Sequence, residues 1–327
     1  MKLHELIIQF LEHLEIERNA SILTLRQYRH LLSRFEGFLQ HHFPSLLTDV
    51  TKIDLEAIRQ YRLFLSRLTD PRGKSLQKVS QNYHIIALRA FLRYLIKKDI
   101  KVVAPEKIDL AKTESRSLKF LSRDQMEILL NQPDTKNIIG LRDKAILEVL
   151  FSTGLRVSEI AKLSREQINI KTKEVGIIGK GGRARVVFMS DSAIQHIQNY
   201  LNQRKDAFRP LFVRYSQGIS SLNQGEQMRL TTRSIERVVE KYVKKAGLPV
   251  KATAHTLRHS FATDLLQSGA DLRSVQELLG HKNIATTQIY THVTNPQLRS
   301  VHQRFHRGGQ QDQDKLKIKN EKVKTTI

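Results

Sequence analysis

The sequence predicts a mainly α chain of two domains, a four-helix bundle followed by a mixed α/β domain with a small β-sheet. Three observations carry that prediction. Four long stretches in the first hundred residues place apolar side chains at helical spacing. Between residues 103 and 118 the periodicity fails around Pro105, and the composition turns to Lys, Thr, Glu, Ser and Arg. Beyond that break, residues 168–170, 175–178 and 184–189 are β-branched and partly alternating, as short strands are.

In the bundle, Leu3, Leu6, Ile7, Phe10, Leu11 and Leu14 mark a first helix, and Leu25, Tyr28, Leu31, Leu32, Phe35 and Leu39 a second. The third is expected over residues 54–68. The fourth is expected over 75–98, with Tyr83, Ile86, Leu88, Phe91 and Leu95 inside. Helices of this length make a compact bundle. Their outer faces carry Arg26, Arg29, Arg34, Arg59, Arg62, Arg67, Lys74, Lys78, Arg89 and Arg93. Basic helix faces are commonly just solvated, but this density on a cationic chain favours a nucleic-acid surface. The domain is taken as residues 1–103 and the linker as 104–118, long enough to pass around a bound duplex.

The second domain, residues 119–307, opens with Ser122 as N-cap of a helix holding Met126, Leu129 and Leu130. A buried helix over 139–152 stops at Thr153-Gly154. A glycine closing a helix just before Arg156, with Ser158 placed to cap the next, would hold that arginine on a fixed turn. Taken alone, Arg156 has the ordinary reading of a surface or salt-bridged side chain. The run Gly179-Lys180-Gly181-Gly182-Arg183 suits a tight hairpin turn with Lys180 at its edge, either simply solvated or acting as a mobile proton donor.

A helix over 255–267 follows, with Leu257, Phe261 and Leu265 on one stripe and His255 and Arg258 one turn apart beside it. Gly269 closes it. Asp271 or Ser274 starts the next helix, Ser274 and Glu277 being spaced as a capping box, and Gly280 ends that helix and leaves His281 on the turn. A third short helix capped by Asn283 would deliver Tyr290. Arginine presents a planar fork that matches a phosphate, and histidine can move a proton near neutral pH. Tyr290 is the one hydroxyl here suited to become a covalent carrier. With an ordinary pKa of about 10 it needs cationic neighbours or a base, which Arg258, His255 and His281 would supply. Singly, a helical tyrosine or histidine is ordinary packing or surface. His255 and His259, four apart, also suggest a metal, but a zinc-protease motif needs Glu after the first His, and Thr256 stands there; no metal or other cofactor is expected.

The 327 residues carry a formal net charge of +23, so nucleic acid is the expected counter-charge, bound in a salt-sensitive way. Zero cysteines exclude disulfides, thiol catalysis and Cys-ligated zinc. No apolar run approaches bilayer length, and Glu5, Gln9 and Glu12 interrupt the N-terminal apolar residues. Neither signal peptide nor membrane anchor is expected, and the expected location is the cytoplasm.

Thr153-Gly154-Leu155-Arg156-Val157-Ser158-Glu159, Gly179-Lys180-Gly181, His255-Thr256-Leu257-Arg258-His259, Leu279-Gly280-His281 and Ile289-Tyr290-Thr291-His292 together resemble the tyrosine recombinases, the phage-integrase family, and within it the Xer type. The resemblance spans roughly residues 1–307, and five ordered motifs are far more specific than any one of them. It implies a SAM-like core-DNA-binding domain followed by a catalytic domain. It also implies six catalytic residues: Arg156, Lys180, His255, Arg258, His281 and the nucleophile Tyr290. Tyr290 would form a 3′-phosphotyrosyl link to DNA, Arg156 and Arg258 would clamp the phosphate, and Lys180 would protonate the leaving 5′ oxygen. His255 would assist proton transfer at the nucleophile, and His281 would hydrogen-bond the phosphate. Neither ATP nor metal is needed, in keeping with a sequence that lacks a P-loop and a carboxylate cluster.

Family members work as four protomers through a Holliday junction, so the implied partners are double-stranded DNA with a short specific site and three further protomers. These would be copies of this chain or of a second recombinase, with an activating DNA translocase as a further possible partner. Residues 296–306, with Leu298, Val301, His302 and Phe305, resemble the Xer segment that docks on a neighbouring protomer, the alternative being an ordinary last helix. Residues 308–327 are expected to be a disordered basic tail. Dimer resolution of chromosomes or plasmids is the favoured role. A first helix that begins almost at Met1 leaves no room for the arm-binding domain of large phage integrases, and a mobile-element integrase of the same build is the runner-up. A type IB topoisomerase and a non-catalytic DNA-binding relative are the remaining alternatives.

Overall fold

Apolar residues at helical spacing and polar N-caps build the first four helices of the structure, a computed structural model that describes residues 2–70, 73–113, 119–179, 184–215, 222–249 and 251–280. These are α1 (Leu3–Ile16), α2 (Ile22–His42), α3 (Leu55–Arg67) and α4 (Lys78–Lys97). Ser21 caps α2 by accepting from the Thr24 N–H (3.3 Å), and Asp54 caps α3 by accepting from that of Ala57 (2.8 Å). Leu6, Phe10, Leu32, Phe35, Tyr61, Leu88, Phe91 and Leu95 form their shared core. On α4 the buried stripe runs through His84, Ile85, Leu88, Leu92 and Leu95. Leu88, Phe91 and Leu95 are buried as expected, whereas Tyr83 and Ile86, also expected inside, are 50% and 41% exposed, and His84 and Ile85 take the inward positions of the first turns instead.

His84 is a buried polar group in this core. The Arg34 guanidinium donates to its Nε2 (3.2 Å) and its Nδ1 faces the Tyr61 hydroxyl (3.3 Å), so the neutral ring has both nitrogens engaged. Burial first, then the charge of Arg34, pushes its pKa down to about 4. The chain leaving α4 is less free than the periodicity break implies. Pro105 opens a short 3₁₀ turn and is buried with Ile108, while Asn82 and the backbone of Ala111 exchange two hydrogen bonds (2.8 and 3.0 Å). Residues 104–111 are therefore fastened to the first of the two units, 1–116, into which the chain divides.

The second unit, 117–327, is built around α6 (Ile138–Thr153). Ala145, Ile146, Leu147, Val149 and Leu150 are all 0% exposed, and a helix buried on every side can only be central. Around it stand α5 (Arg123–Leu130), α8 (Asp191–Gln203), α9 (Thr232–Lys245) and α10 (Ala254–Gln267), with α7 (Val157–Ala161) on the chain just after it. Ser122 and Gln125 close a capping box at the start of α5. The strands β1 (Ile168–Asn169), β2 (Glu174–Ile178) and β3 (Ala184–Phe188) form an antiparallel sheet in sequence order, Val175 opposite Val187 and Ile177 opposite Arg185. The last described helix, α11 (Leu272–Leu279), packs Val275 and Leu279 against Ala262 and Leu266 of α10. The expected hairpin turn around Lys180, the helix capped by Asn283, the docking segment 296–306 and the tail lie outside the described residues.

Candidate active site

Two left-handed glycines frame the site. Gly154 (φ +58°) ends α6, and its conformation turns the chain so that Arg156 becomes the N-cap residue of α7. A side chain at Gly154 would also stand 2.3 Å from Cδ1 of Phe261 on α10, so the glycine allows the two helices to approach. Gly280 (φ +65°) ends α11 in the same way. The expectation that Ser158 caps α7 is corrected: the helix begins at Val157, and its first free N–H group, on Arg156, donates to the Glu159 carboxylate (2.8 Å). An acidic side chain at the third helical position reaches back more favourably than a serine already inside the helix. Likewise α11 is capped by Asp271, which accepts from the Ser274 N–H (2.9 Å), and Glu277 pairs with Arg273 (2.8 Å) instead of closing a box with Ser274.

Three arginines converge on the last turn of α11, where helix carbonyls lack intrahelical partners and carry the negative end of the dipole. Arg185 donates to Leu278 O (3.3 Å), Arg258 to Leu279 O (2.7 Å) and Arg156 to Gly280 O (3.3 Å). Arg258, 2% exposed, also donates to Gly154 O (2.6 Å), and so ties the two glycine turns together. Arg156 remains 38% exposed along its side chain. The structure thus brings Arg156 and Arg258 to one turn, the one that leads into residue 281. His255 is on the exposed side of α10, one turn from Arg258. Desolvation of its ring first, then the charges of Arg258 and Arg156, lower its pKa and favour the neutral imidazole, the form that can accept a proton. His259 packs edge-on against it at 4.1 Å between ring centres, and burial pushes its own pKa down to about 4. Lys180, His281 and Tyr290 lie outside the described residues.

Two neighbours of Arg156 had no part in the sequence-based site. Glu159 is buried and pairs with Arg156 (3.1 Å) and with Arg185 (3.0 and 2.9 Å). Burial alone would raise its pKa, but the hydrogen bonds from Arg185 and the Arg156 N–H, with both positive charges, outweigh it and keep it ionised. Arg185 shares the inward face of β3 with Val187, which is buried. An arginine at an inward strand position is itself a sequence signal of a buried acidic partner.

The chain matches the phage integrase family over residues 119–296 and that family's N-terminal SAM-like domain over residues 7–99. It is 36% identical to the tyrosine recombinase XerC of Syntrophus aciditrophicus over 321 residues, covering 93% of this chain and 99% of that relative. It is equally 36% identical to the tyrosine recombinase XerD of Listeria innocua over 306 residues, covering 93% and 99%. In fold it is similar to the Tn1549 transposon integrase in complex with transposon right end DNA (TM-score 0.72, 19% identity, 92% of this chain and 99% of that one). It is similar also to the XerH site-specific recombinase bound to difH substrate (TM-score 0.66, 24% identity, 92% and 85%). By the family match over both domains and the identity over more than nine-tenths of its residues, the chain belongs to the phage integrase family, as a tyrosine recombinase of Xer-like type.

Proposed function

We propose that this enzyme cuts and rejoins double-stranded DNA at a short specific site, with Tyr290 as nucleophile. The observation that carries the reading is the convergence of Arg156 and Arg258 on one helix end beside His255, a cationic, hydrogen-bonding surface of the kind a scissile phosphate requires. Tyr290 attacks the phosphorus, its phenolic proton passing to a neutral histidine, for which His255 is suited. The bond to the 5′ oxygen breaks as Lys180 protonates it, leaving a 3′-phosphotyrosyl link and a free 5′-hydroxyl. Arg156 and Arg258 offset the charge of the pentavalent transition state, and His281 hydrogen-bonds the phosphate. Because the phosphotyrosyl bond conserves the energy of the cut, rejoining to a partner strand needs no nucleotide.

In this reading residues 1–103 are the core-DNA-binding domain, 104–118 the linker, 119–307 the catalytic domain and 308–327 a tail. Four protomers, identical or of two kinds, pair two sites in the cytoplasm and pass through a Holliday junction. Dimer resolution is the role, with a DNA translocase as an activating partner. The test is a supercoiled plasmid carrying two copies of a candidate site from near the gene, incubated in EDTA without nucleotide. Deletion or inversion between the sites is the expected product. Relaxation without exchange, on plasmids with or without the sites, would replace the reading with a type IB topoisomerase.

A further inference from the structure

Arg185 has a charge role that the site residues named so far leave open. On Glu159, each carboxylate oxygen takes one donor from Arg185 and one from Arg156: Oε1 the two guanidinium groups (3.0 and 3.1 Å), Oε2 Arg185 Nη2 (2.9 Å) and the Arg156 main-chain N–H (2.8 Å). Arg185 therefore has the bidentate geometry, and Arg156 gives the carboxylate only one arm. Arg185 also donates to Leu278 O, and its guanidinium lies flat against Gly280, where an added Cβ would be 3.1 Å from its Cζ, Nε and Nη1. It thus contacts both of the groups that hold Arg156: the Glu159 carboxylate and the turn whose Gly280 carbonyl accepts from Arg156 Nη2.

We propose that Arg185 is a positioning residue of the active centre, the counter-charge that occupies Glu159 and so leaves Arg156 its arm and its charge for the DNA phosphate. This deepens the function proposed above and rests on it. Two guanidinium groups face one buried carboxylate, so that cluster keeps one positive charge beside that of Arg258. With Arg185 removed, the Glu159 side chain, only 7% exposed, is left with Arg156 as its partner. A buried carboxylate deprived of one cation draws the other into a full pair. Arg156 is then turned inward from its half-exposed position, the positive charge facing the phosphate falls by one and is left to Arg258, and the Leu278 carbonyl loses its donor.

The experiment compares the wild type with Arg185→Met, Arg185→Lys and the double variant Arg185→Met with Glu159→Gln, all as full-length chains. Single-turnover cleavage of a nicked trapping substrate is followed at saturating DNA, with DNA affinity and melting temperature measured alongside. Arg185→Met is expected to slow cleavage about ten- to a hundredfold, the loss a displaced catalytic group produces, with little change in affinity. Arg185→Lys, which keeps the charge but not the fork, is expected to lie between. The double variant is expected to cleave faster than Arg185→Met alone, because a neutral amide no longer captures Arg156. Wild-type cleavage by Arg185→Met overturns the proposal. So does a double variant no faster than the single one, the outcome of a merely structural role. If Arg185→Met does not fold, Arg185→Lys decides: slowed cleavage at unchanged melting temperature supports the proposal and the wild-type rate overturns it. A wild type that forms no covalent product fails the proposed function itself, an outcome read from the wild-type reaction alone, and the role of Arg185 falls with it.

Discussion

Replacing Gly154 by alanine tests how the two glycine turns build the phosphate surface. The residue has φ +58°, and an added Cβ would stand 2.3, 2.8 and 3.1 Å from Cδ1, Cε1 and Cγ of Phe261. Holding a non-glycine residue in the left-handed region costs about 1–2 kcal/mol. Contacts under 3.0 Å against a ring held between helices are relieved only by moving α10 or the ring, which adds about 1–3 kcal/mol as overpacking does. The sum, about 2–5 kcal/mol, lowers the melting temperature of a unit this size by roughly 5–15 °C. The effect reaches function because Gly154 O accepts from Arg258 (2.6 Å) and Arg156 lies two residues on. Calorimetry on Gly154→Ala, and on Gly154→Ala with Phe261→Leu, separates the two contributions: the smaller side chain should recover the clash share and leave the backbone share. A Gly154→Ala chain that melts like the wild type would mean that neither the left-handed backbone at 154 nor the Phe261 contact constrains this turn.

Three further outcomes follow from particular residues. Ser158→Ala should change stability by less than about 0.5 kcal/mol, since the serine lies inside α7 and caps nothing; a drop of about 1 kcal/mol or more in urea unfolding would restore the serine cap. His84, held near pKa 4 when folded against 6.5 when unfolded, binds fewer protons in the native state. Its contribution is therefore present above about pH 6.5 and is lost as pH falls toward 4, by about 3 kcal/mol in all, a slope that His84→Gln should flatten in urea titrations of the first unit. DNA affinity should fall steeply with salt. Replacing Arg26 and Arg29, exposed on α2, by alanine should reduce the slope of log K against log salt by about 0.9 for each phosphate these arginines neutralise; an unchanged slope would move the DNA surface off that helix.

Much of the fold is legible in the sequence because its signals are local. Leu3, Leu6 and Phe10 mark α1 by spacing alone, Ser122 and Gln125 announce α5, and glycines 154 and 280 occupy the left-handed ends of α6 and α11 where the chain must turn. Local signals mislead where two of them compete. Ser158 is a good cap by residue type, yet the Glu159 carboxylate holds the Arg156 N–H and starts the helix two residues earlier than a Ser158 cap would. Residues 104–111 have the composition of a linker, but Asn82 and the burial of Ile108 hold them to the bundle, a long-range effect that composition does not carry. In the site, the spacing of His255 and Arg258 shows that they share a helix face. That Arg258 binds Gly154 O, 104 residues away, and Arg185 binds Leu278 O, 93 residues away, depends on how α6, β3 and α11 pack, and no local pattern contains it.

Covalent capture identifies the side chain that joins the DNA. The full-length chain and Tyr290→Phe are incubated in EDTA with a nicked duplex carrying a candidate site, and any DNA-linked protein is digested and mapped by mass spectrometry. An adduct is expected from the wild type alone, with the nucleotide on the peptide containing Tyr290 and joined through a 3′ phosphate. An adduct that persists in Tyr290→Phe, or one mapped to another side chain, would contradict Tyr290 as the nucleophile.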